Sequence, residues 1–241
     1  MLLIGHRGCP AYEPENTLRG FERAIAMGVD MLEFDVYALP SGELVVFHDR
    51  TLDRTTNGSG LLLHNSFREL RKLDAGKGEK IPTLRETLEL IVGRVPVVIE
   101  MKNPGASAGV ADEIDRAVRS GVWTHDQFIV SSFHHRELYQ FKTGHAPHIS
   151  VVAATSSVPL DDAAYADDLQ AVAITPDIDV VDRQLVDDAH RRGLKVYVFT
   201  VNNYEDTLAM SALGVDGIFT NVPDVSRQAL RAGAGSGLRE L

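Results

Sequence analysis

Short apolar runs alternate with longer amphipathic stretches along nearly the whole chain. The runs at 2–5, 30–36, 95–100, 127–130, 149–152, 171–174, 195–200 and 217–220 have the length and composition of strands. The stretches at 17–27, 83–93, 107–120, 134–143, 160–168, 183–192, 204–213 and 224–232 are predicted to be helices. Eight strand-then-helix units in series imply parallel strands joined by helical crossovers. An open doubly wound sheet accommodates the same order. Eight regular units in 241 residues favour a closed (β/α)8 TIM barrel, which takes about 250 residues. The punctuation agrees: Ala26-Met27-Gly28-Val29-Asp30 and Ala212-Leu213-Gly214-Val215-Asp216 are near copies, each placing Gly just past a helix and then entering a strand. Gly121 and Gly193 are placed in the same way.

Residues 37–82 break this rhythm. Within them, 44–47 reads as an extra short strand, 49–60 is polar and turn-rich, and 66–73 reads as a short helix. An insertion of this length after a barrel strand emerges on the catalytic face, so it is expected to form a small cap over a site, the alternative being a decorative insertion. The chain is therefore expected to be one barrel over 1–232, followed by a Gly/Ser-rich flexible tail at 233–241.

Composition narrows the function classes. Apolar residues make up 44% and charged residues 24%, the balance of a globular domain. A formal net charge of −10 lacks the basic footprint that nucleic-acid binding needs. An acidic chain that handles an anion needs a local positive centre, from a bound cation or focused Arg and Lys. Cys9 is the single cysteine, which excludes an intrachain disulfide and a cysteine-based zinc site. The start lacks the basic flank of a signal peptide, and no apolar run approaches the roughly 20 residues of a membrane span. A cytoplasmic location without stable membrane insertion is expected.

Strand parity points to the chemistry. Residues two apart on a strand share a face. In 30–36, Leu32, Phe34 and Val36 form an apolar face, and Met31, Glu33 and Asp35 form the other. A barrel turns the apolar set outward under the helices, which sends Glu33 and Asp35 inward near the C-terminal mouth. In the next strand Val98, Glu100 and Lys102 share a face, and in the first Leu2, Ile4 and His6 do. Three inward carboxylates repel one another in a partly dry mouth, and a divalent cation resolves the conflict. All-oxygen ligation favours Mg²⁺ or Ca²⁺ over zinc. The alternative is that the acids pair with Arg7 and Lys102 without an ion.

His6 and His48 each end an apolar, strand-like run, Leu2-Leu3-Ile4-Gly5-His6 and Leu44-Val45-Val46-Phe47-His48. Acid–base catalysis of a bond cleavage needs a base for the nucleophile and an acid for the leaving group, and imidazoles suit both near neutral pH. The planar fork of Arg7 matches a phosphate. Asp49 either orients His48 or simply ends the strand. His134 and His135 either face the mouth or cap the next helix, with capping preferred. His64, His125, His145, His148 and His190 read as surface residues, and Cys9 as a small packing residue.

At this point the chain resembles the glycerophosphodiester phosphodiesterase family. The resemblance is carried by His6-Arg7-Gly8, Pro14-Glu15-Asn16-Thr17, Glu33-Phe34-Asp35-Val36, Val45-Val46-Phe47-His48-Asp49 and Leu52-Asp53-Arg54-Thr55-Thr56-Asn57-Gly58. It continues through Pro82-Thr83-Leu84, Glu100-Met101-Lys102, Val198-Phe199-Thr200-Val201-Asn202 and Gly214-Val215-Asp216-Gly217-Ile218-Phe219-Thr220-Asn221. Each motif is short; their shared order from first strand to last makes the match specific. The resemblance implies hydrolysis of a small-molecule glycerophosphodiester to glycerol 3-phosphate and an alcohol. It implies one cation on Glu33, Asp35 and Glu100, an acid–base pair of His6 and His48, and phosphate contacts from Arg7 and Lys102. Glu15 and Asn16 are implied to shape the first loop. Two positions depart from the pattern: Phe199 stands where Trp is frequent, keeping an apolar wall without the indole N–H, and Thr220-Asn221 stands where Thr-Asp is usual. Rival readings are an enzyme acting on lysophospholipids or sphingolipids, a silent barrel that binds phosphorylated metabolites, and a sugar-phosphate isomerase.

Overall fold

The structure is a computed structural model that describes residues 1–236. Eight parallel strands close into a barrel: β1 (Leu2–Gly5), β2 (Met31–Ala38), β4 (Val97–Met101), β5 (Phe128–Ser132), β6 (Ser150–Thr155), β7 (Ala173–Pro176), β8 (Lys195–Val198) and β9 (Gly217–Thr220). Closure is made by β1, which pairs with β2 on one side and β9 on the other. The extra strand β3 (Leu44–Val46) runs antiparallel to β2 at the start of the insertion.

The strands turn the two faces as their alternation predicts. Leu32, Phe34, Val36, Ile99 and Met101 are buried in the layer between strands and helices. Ile4, Met31, Val98, Val152, Ala173 and Phe219 fill the barrel interior. In the β2–β4 register Asp35 faces Glu100 across the ladder, which fixes two inward acids side by side. Cys9 is fully buried, as a packing residue would be, and burial pushes its thiol up to about 11.

The helices are α1 (Leu18–Ala26), α2 (Phe67–Leu70), α3 (Leu84–Ile91), α4 (Ser107–Arg119), α5 (His135–Gln140), α6 (Tyr165–Asp168), α7 (Arg183–Arg191), α8 (Tyr204–Leu213) and α9 (Pro223–Ser236). Their starts are written in side chains: Thr17, Asp182 and Asn203 cap α1, α7 and α8, and Thr83 and Glu86 form a capping box on α3. Gly214 ends α8 in the left-handed conformation (φ +86°), as its place after the helix suggested.

Three elements differ from expectation. The helix predicted over 160–168 shrinks to the single turn of α6. Asp162 turns left-handed (φ +52°), and the Asp188 carboxylate takes the Ala163 N–H at 3.1 Å, so no helix can pass through. The helix predicted over 134–143 gives way after Gln140 to a wider π-helical turn, Phe141–His145, closed by the Ala146 N–H on the Phe141 carbonyl. The last helix continues through 233–236, where the flexible tail was expected to begin; the rest of that tail, 237–241, lies outside the described residues.

The insertion has its own small core, in which Tyr37, Phe47, Leu52, Leu62, Leu70 and Ile81 are buried. That packing, with the Ser66–Glu69 capping box on α2, gives the segment a defined shape and delivers His48 to the barrel mouth. Among the described residues no helix is long and apolar enough to cross a membrane.

Candidate active site

The site stands at the C-terminal end of the barrel, where the loops after the strands converge. Glu33 and Asp35 rise from β2 and Glu100 from β4, and each offers an oxygen within 4.8 Å of the others. Glu33 and Asp35 are 3% and 1% exposed, so their charges are taken out of water. Two cations face the three acids. Lys102 Nζ lies 2.6 Å from Glu100 Oε1 and 3.3 Å from Asp35 Oδ1. Arg7 Nε lies 3.4 Å from Asp35 Oδ2, an ion-pair distance without hydrogen-bond alignment, and its Nη1 donates to Glu15 at 3.1 Å. Asn16 Nδ2 completes the set by donating to Asp35 Oδ2 at 2.8 Å.

The first loop is built for this contact. Arg7 adopts φ +53°, a left-handed conformation uncommon for a non-glycine residue, and its N–H donates to Glu33 Oε2 at 2.9 Å. Gly8 follows at φ +90°, where a Cβ would meet the Gly20 backbone at 2.9 Å; only glycine lets the loop lie this close to α1.

The electrostatics are unbalanced toward negative charge. Burial, with repulsion from Asp35 and Glu100, pushes Glu33 far above the usual carboxylate range. Burial and Asp35 push Glu100 up as well, against the pull of Lys102. Burial also acts on Asp35, but Lys102 and Arg7 outweigh it and hold the group low. Asp35 is therefore neutralised by its neighbours while Glu33 is not: its carboxylate meets the Arg7 N–H and little else that is positive. The pairing of acids with Arg7 and Lys102 is real, but two cations, one of them shared with Glu15, serve three carboxylates, and ionisation of Glu33 goes uncompensated. Three hard oxygen donors with an uncompensated charge fit a divalent cation such as Mg²⁺ or Ca²⁺.

His6 and His48 both line the same cavity, of about 230 Å³, along with Glu33 and Glu100. His6 Nδ1 donates to Asn221 Oδ1 at 2.8 Å, and His48 Nδ1 donates to Asp49 Oδ1 at 2.5 Å. Each bond fixes its ring and leaves Nε2 on the opposite edge for chemistry. Burial and the adjacent Arg7 hold His6 down at about 4, so its imidazole is neutral at pH 7. Burial lowers His48 too, with Lys102 and Arg7 adding to the effect against the pull of Asp35. Of the two readings for Asp49, orientation of His48 is the one observed.

The far wall is mixed. Phe133 and Phe199 meet edge to face with centroids 5.6 Å apart, and Ser131, Thr175 and Asp177 lie beside them. The Thr175 hydroxyl is buried and has no hydrogen-bond partner. All ten expected site residues fall at or beside this mouth: seven, Phe199 among them, line the cavity or belong to its acid cluster, while Lys102, Glu15 and Asn16 support them through the contacts above.

The expected capping role of His134 and His135 is not observed. His134 makes no side-chain cap; its N–H instead donates to Ser132 Oγ at 3.0 Å. His135 turns away to the Ala154 carbonyl and stacks on Tyr165, 5.3 Å between rings. Sequence reasoning also missed Arg54 as a bridge. Its guanidinium spans Glu15 at 2.7 Å and Asp49 at 2.6 Å, tying the insertion to the first loop. Thr175 was within reach, since it shares the inward face of β7 with Ala173.

A TIM barrel whose catalytic end joins a carboxylate cluster, two oriented imidazoles and two buried cations defines a class of barrel hydrolases acting on phosphoesters. The comparisons with known proteins narrow this class. The profile described as "Glycerophosphoryl diester phosphodiesterase family" matches residues 6–225. A glycerophosphodiester phosphodiesterase of Caldanaerobacter subterraneus subsp. tengcongensis is 35% identical, with 96% of this chain and 98% of that protein covered. One of Bacillus altitudinis is 35% identical, with 92% and 95% covered. Among solved structures, a phosphodiesterase of Oleispira antarctica in complex with the product sn-glycerol-3-phosphate superposes with a TM-score of 0.87 at 29% identity, covering 96% of this chain and 97% of that one. The chain belongs to the glycerophosphoryl diester phosphodiesterase family and is an enzyme of that kind.

Proposed function

We propose that the enzyme hydrolyses a water-soluble glycerophosphodiester to glycerol 3-phosphate and an alcohol, with one divalent cation, Mg²⁺ or Ca²⁺, held by Glu33, Asp35 and Glu100. The observation that carries the reading is the unbalanced acid cluster beside two imidazoles in one cavity. When bound by these three residues, the ion would supply charge neutralisation for an anionic diester.

Arg7 and Lys102 stabilise the charge that develops on the phosphoryl oxygens. One imidazole takes a proton from the nucleophile as the new P–O bond forms. The other gives a proton to the alkoxide as the old P–O bond breaks, so the sum is one water consumed and one alcohol released. Two nucleophiles fit this scheme, water and the 2-hydroxyl of the substrate glycerol. ³¹P NMR of the reaction separates them, because the internal route passes through a cyclic phosphate. The buried Thr175 hydroxyl offers a hydrogen bond to a substrate hydroxyl, and the Phe133–Phe199 pair forms an apolar wall.

The lipid-acting alternative needs an exposed apolar surface near the mouth. In the apolar stretch of the insertion Leu62 and Leu63 pack into its own core, while Leu61 (39%), Phe133 at the cavity (41%) and Val158 after β6 (57%) are exposed, so substrate preference separates the two readings. The experiment that tests the reading compares glycerophosphocholine and glycerophosphoethanolamine with lysophosphatidylcholine. Glycerol 3-phosphate release from the first two is expected; preference for the third supports the lipid-acting reading.

A further inference from the structure

A second group of metal-ligating side chains lies at the opposite end of the barrel. Asp115 projects from the last turns of α4, His125 from the 3-10 turn His125–Gln127 that leads into β5, and His148 from the loop that leads into β6. Both imidazoles aim Nε2 at one carboxylate oxygen: His125 Nε2 is 3.8 Å from Asp115 Oδ1, and His148 Nε2 is 3.9 Å from the same atom. All three ligand atoms lie within 4.8 Å of one another, and the two rings stand edge to face with centroids 4.4 Å apart.

These separations are too long for hydrogen bonds. They are close to what a shared ion sets: bonds of about 2.0–2.1 Å in a tetrahedron hold neighbouring ligand atoms about 3.3 Å apart. Movements of about half an ångström close the two His–Asp gaps, and the side chains are 45–46% exposed, so they are free to make them. The nearest competitor is Arg119, whose Nη1 lies 3.9 Å from Asp115 Oδ2, on the oxygen the histidines do not use. Two imidazoles and one carboxylate select a borderline first-row ion over Mg²⁺ or Ca²⁺.

We propose that Asp115, His125 and His148 form a zinc-binding site, with the fourth position open to water, that staples α4 to the segments entering β5 and β6. The site serves stability, because it lies on the N-terminal rim, away from the chemistry. It is independent of the catalytic reading.

The test is calorimetric titration of the full chain with Zn²⁺ in saturating Mg²⁺, comparing wild type with the His125→Ala/His148→Ala double variant and with Asp115→Asn. Wild type is expected to bind one Zn²⁺ more per chain than the double variant. Its melting temperature is expected to rise by about 5–10 °C at roughly 100-fold excess over Kd, a rise the double variant lacks. Asp115→Asn is expected to bind more weakly. Phosphodiesterase turnover in Mg²⁺ is expected to be the same in all three, which reports that the variants fold. Equal Zn²⁺ stoichiometry in wild type and the double variant, or an equal melting shift, overturns the proposal.

Discussion

The side-chain oxygen of Asn221 lies 2.8 Å from Nδ1 of His6, so the residue after the last barrel strand orients the imidazole that follows the first. A neutral amide stands where the family pattern has a carboxylate. It fixes the ring without adding charge to stabilise an imidazolium, and His6 sits at about 4 because burial and Arg7 prevail. Asn221→Asp places a negative charge beside the ring and raises that value. The acidic limb of the kcat/KM profile is expected to move to higher pH, by about one to two units. An unmoved limb means that the limb reports another group.

On the proposed mechanism, replacing either histidine removes one of two proton transfers. His6→Ala and His48→Ala are each expected to lower kcat by about 10²–10⁴ at pH 7.5, with circular dichroism unchanged. Full activity in both variants means that the acid–base pair lies elsewhere.

Glu33 is expected to cost the cation-free protein stability. Its folded pKa lies far above the ordinary 4.5, so the unfolded chain is ionised where the folded one resists it. The cost is full above the folded pKa, shrinks as pH falls through it, and is gone below the unfolded value near 4.5. Glu33→Gln keeps an acceptor for the Arg7 N–H and removes the charge. In chelator at pH 7.5 the variant is expected to melt higher than wild type and to be inactive under all conditions. Added Mg²⁺ or Ca²⁺ is expected to raise the melting temperature of wild type far more than that of the variant.

Thr175 carries a buried hydroxyl without a partner in the free enzyme. Thr175→Val is expected to leave the melting temperature unchanged or raise it, because an unsatisfied polar group is lost. KM for glycerophosphodiesters is expected to rise by about 5–10-fold, the equivalent of one hydrogen bond. Steady-state kinetics with glycerophosphocholine, alongside thermal melts, checks both halves.

Much of this site is readable from sequence because a strand repeats every two residues. Parity alone put Glu33 with Asp35, and Glu100 with Lys102, on inward faces, and the Asp35–Glu100 register then sets them side by side. The barrel order was readable for a similar reason, since glycine punctuation recurs between units. What stayed hidden depends on distances across the fold. The Asn221–His6 bond exists only because β1 pairs with β9. The choice between readings of Asp49, and the Arg54 bridge to Glu15, depended on how the insertion folds back over the first loop. The helix predicted over 160–168 had suitable residues, but a left-handed Asp162 and a carboxylate from the next helix decide its length. Asp115, His125 and His148 come from three separate segments, and no local pattern joins them.

The most direct test of the central claim is glycerol 3-phosphate release from glycerophosphocholine under chelator and after Mg²⁺ or Ca²⁺ is restored, for wild type and for Glu33→Gln, Asp35→Asn and Glu100→Gln. Wild type is expected to fall silent in chelator and to recover with the added ion, while the three variants stay at or near background at all ion concentrations tried. Turnover by wild type that survives exhaustive chelation, or full ion-restored activity in all three variants, contradicts the account.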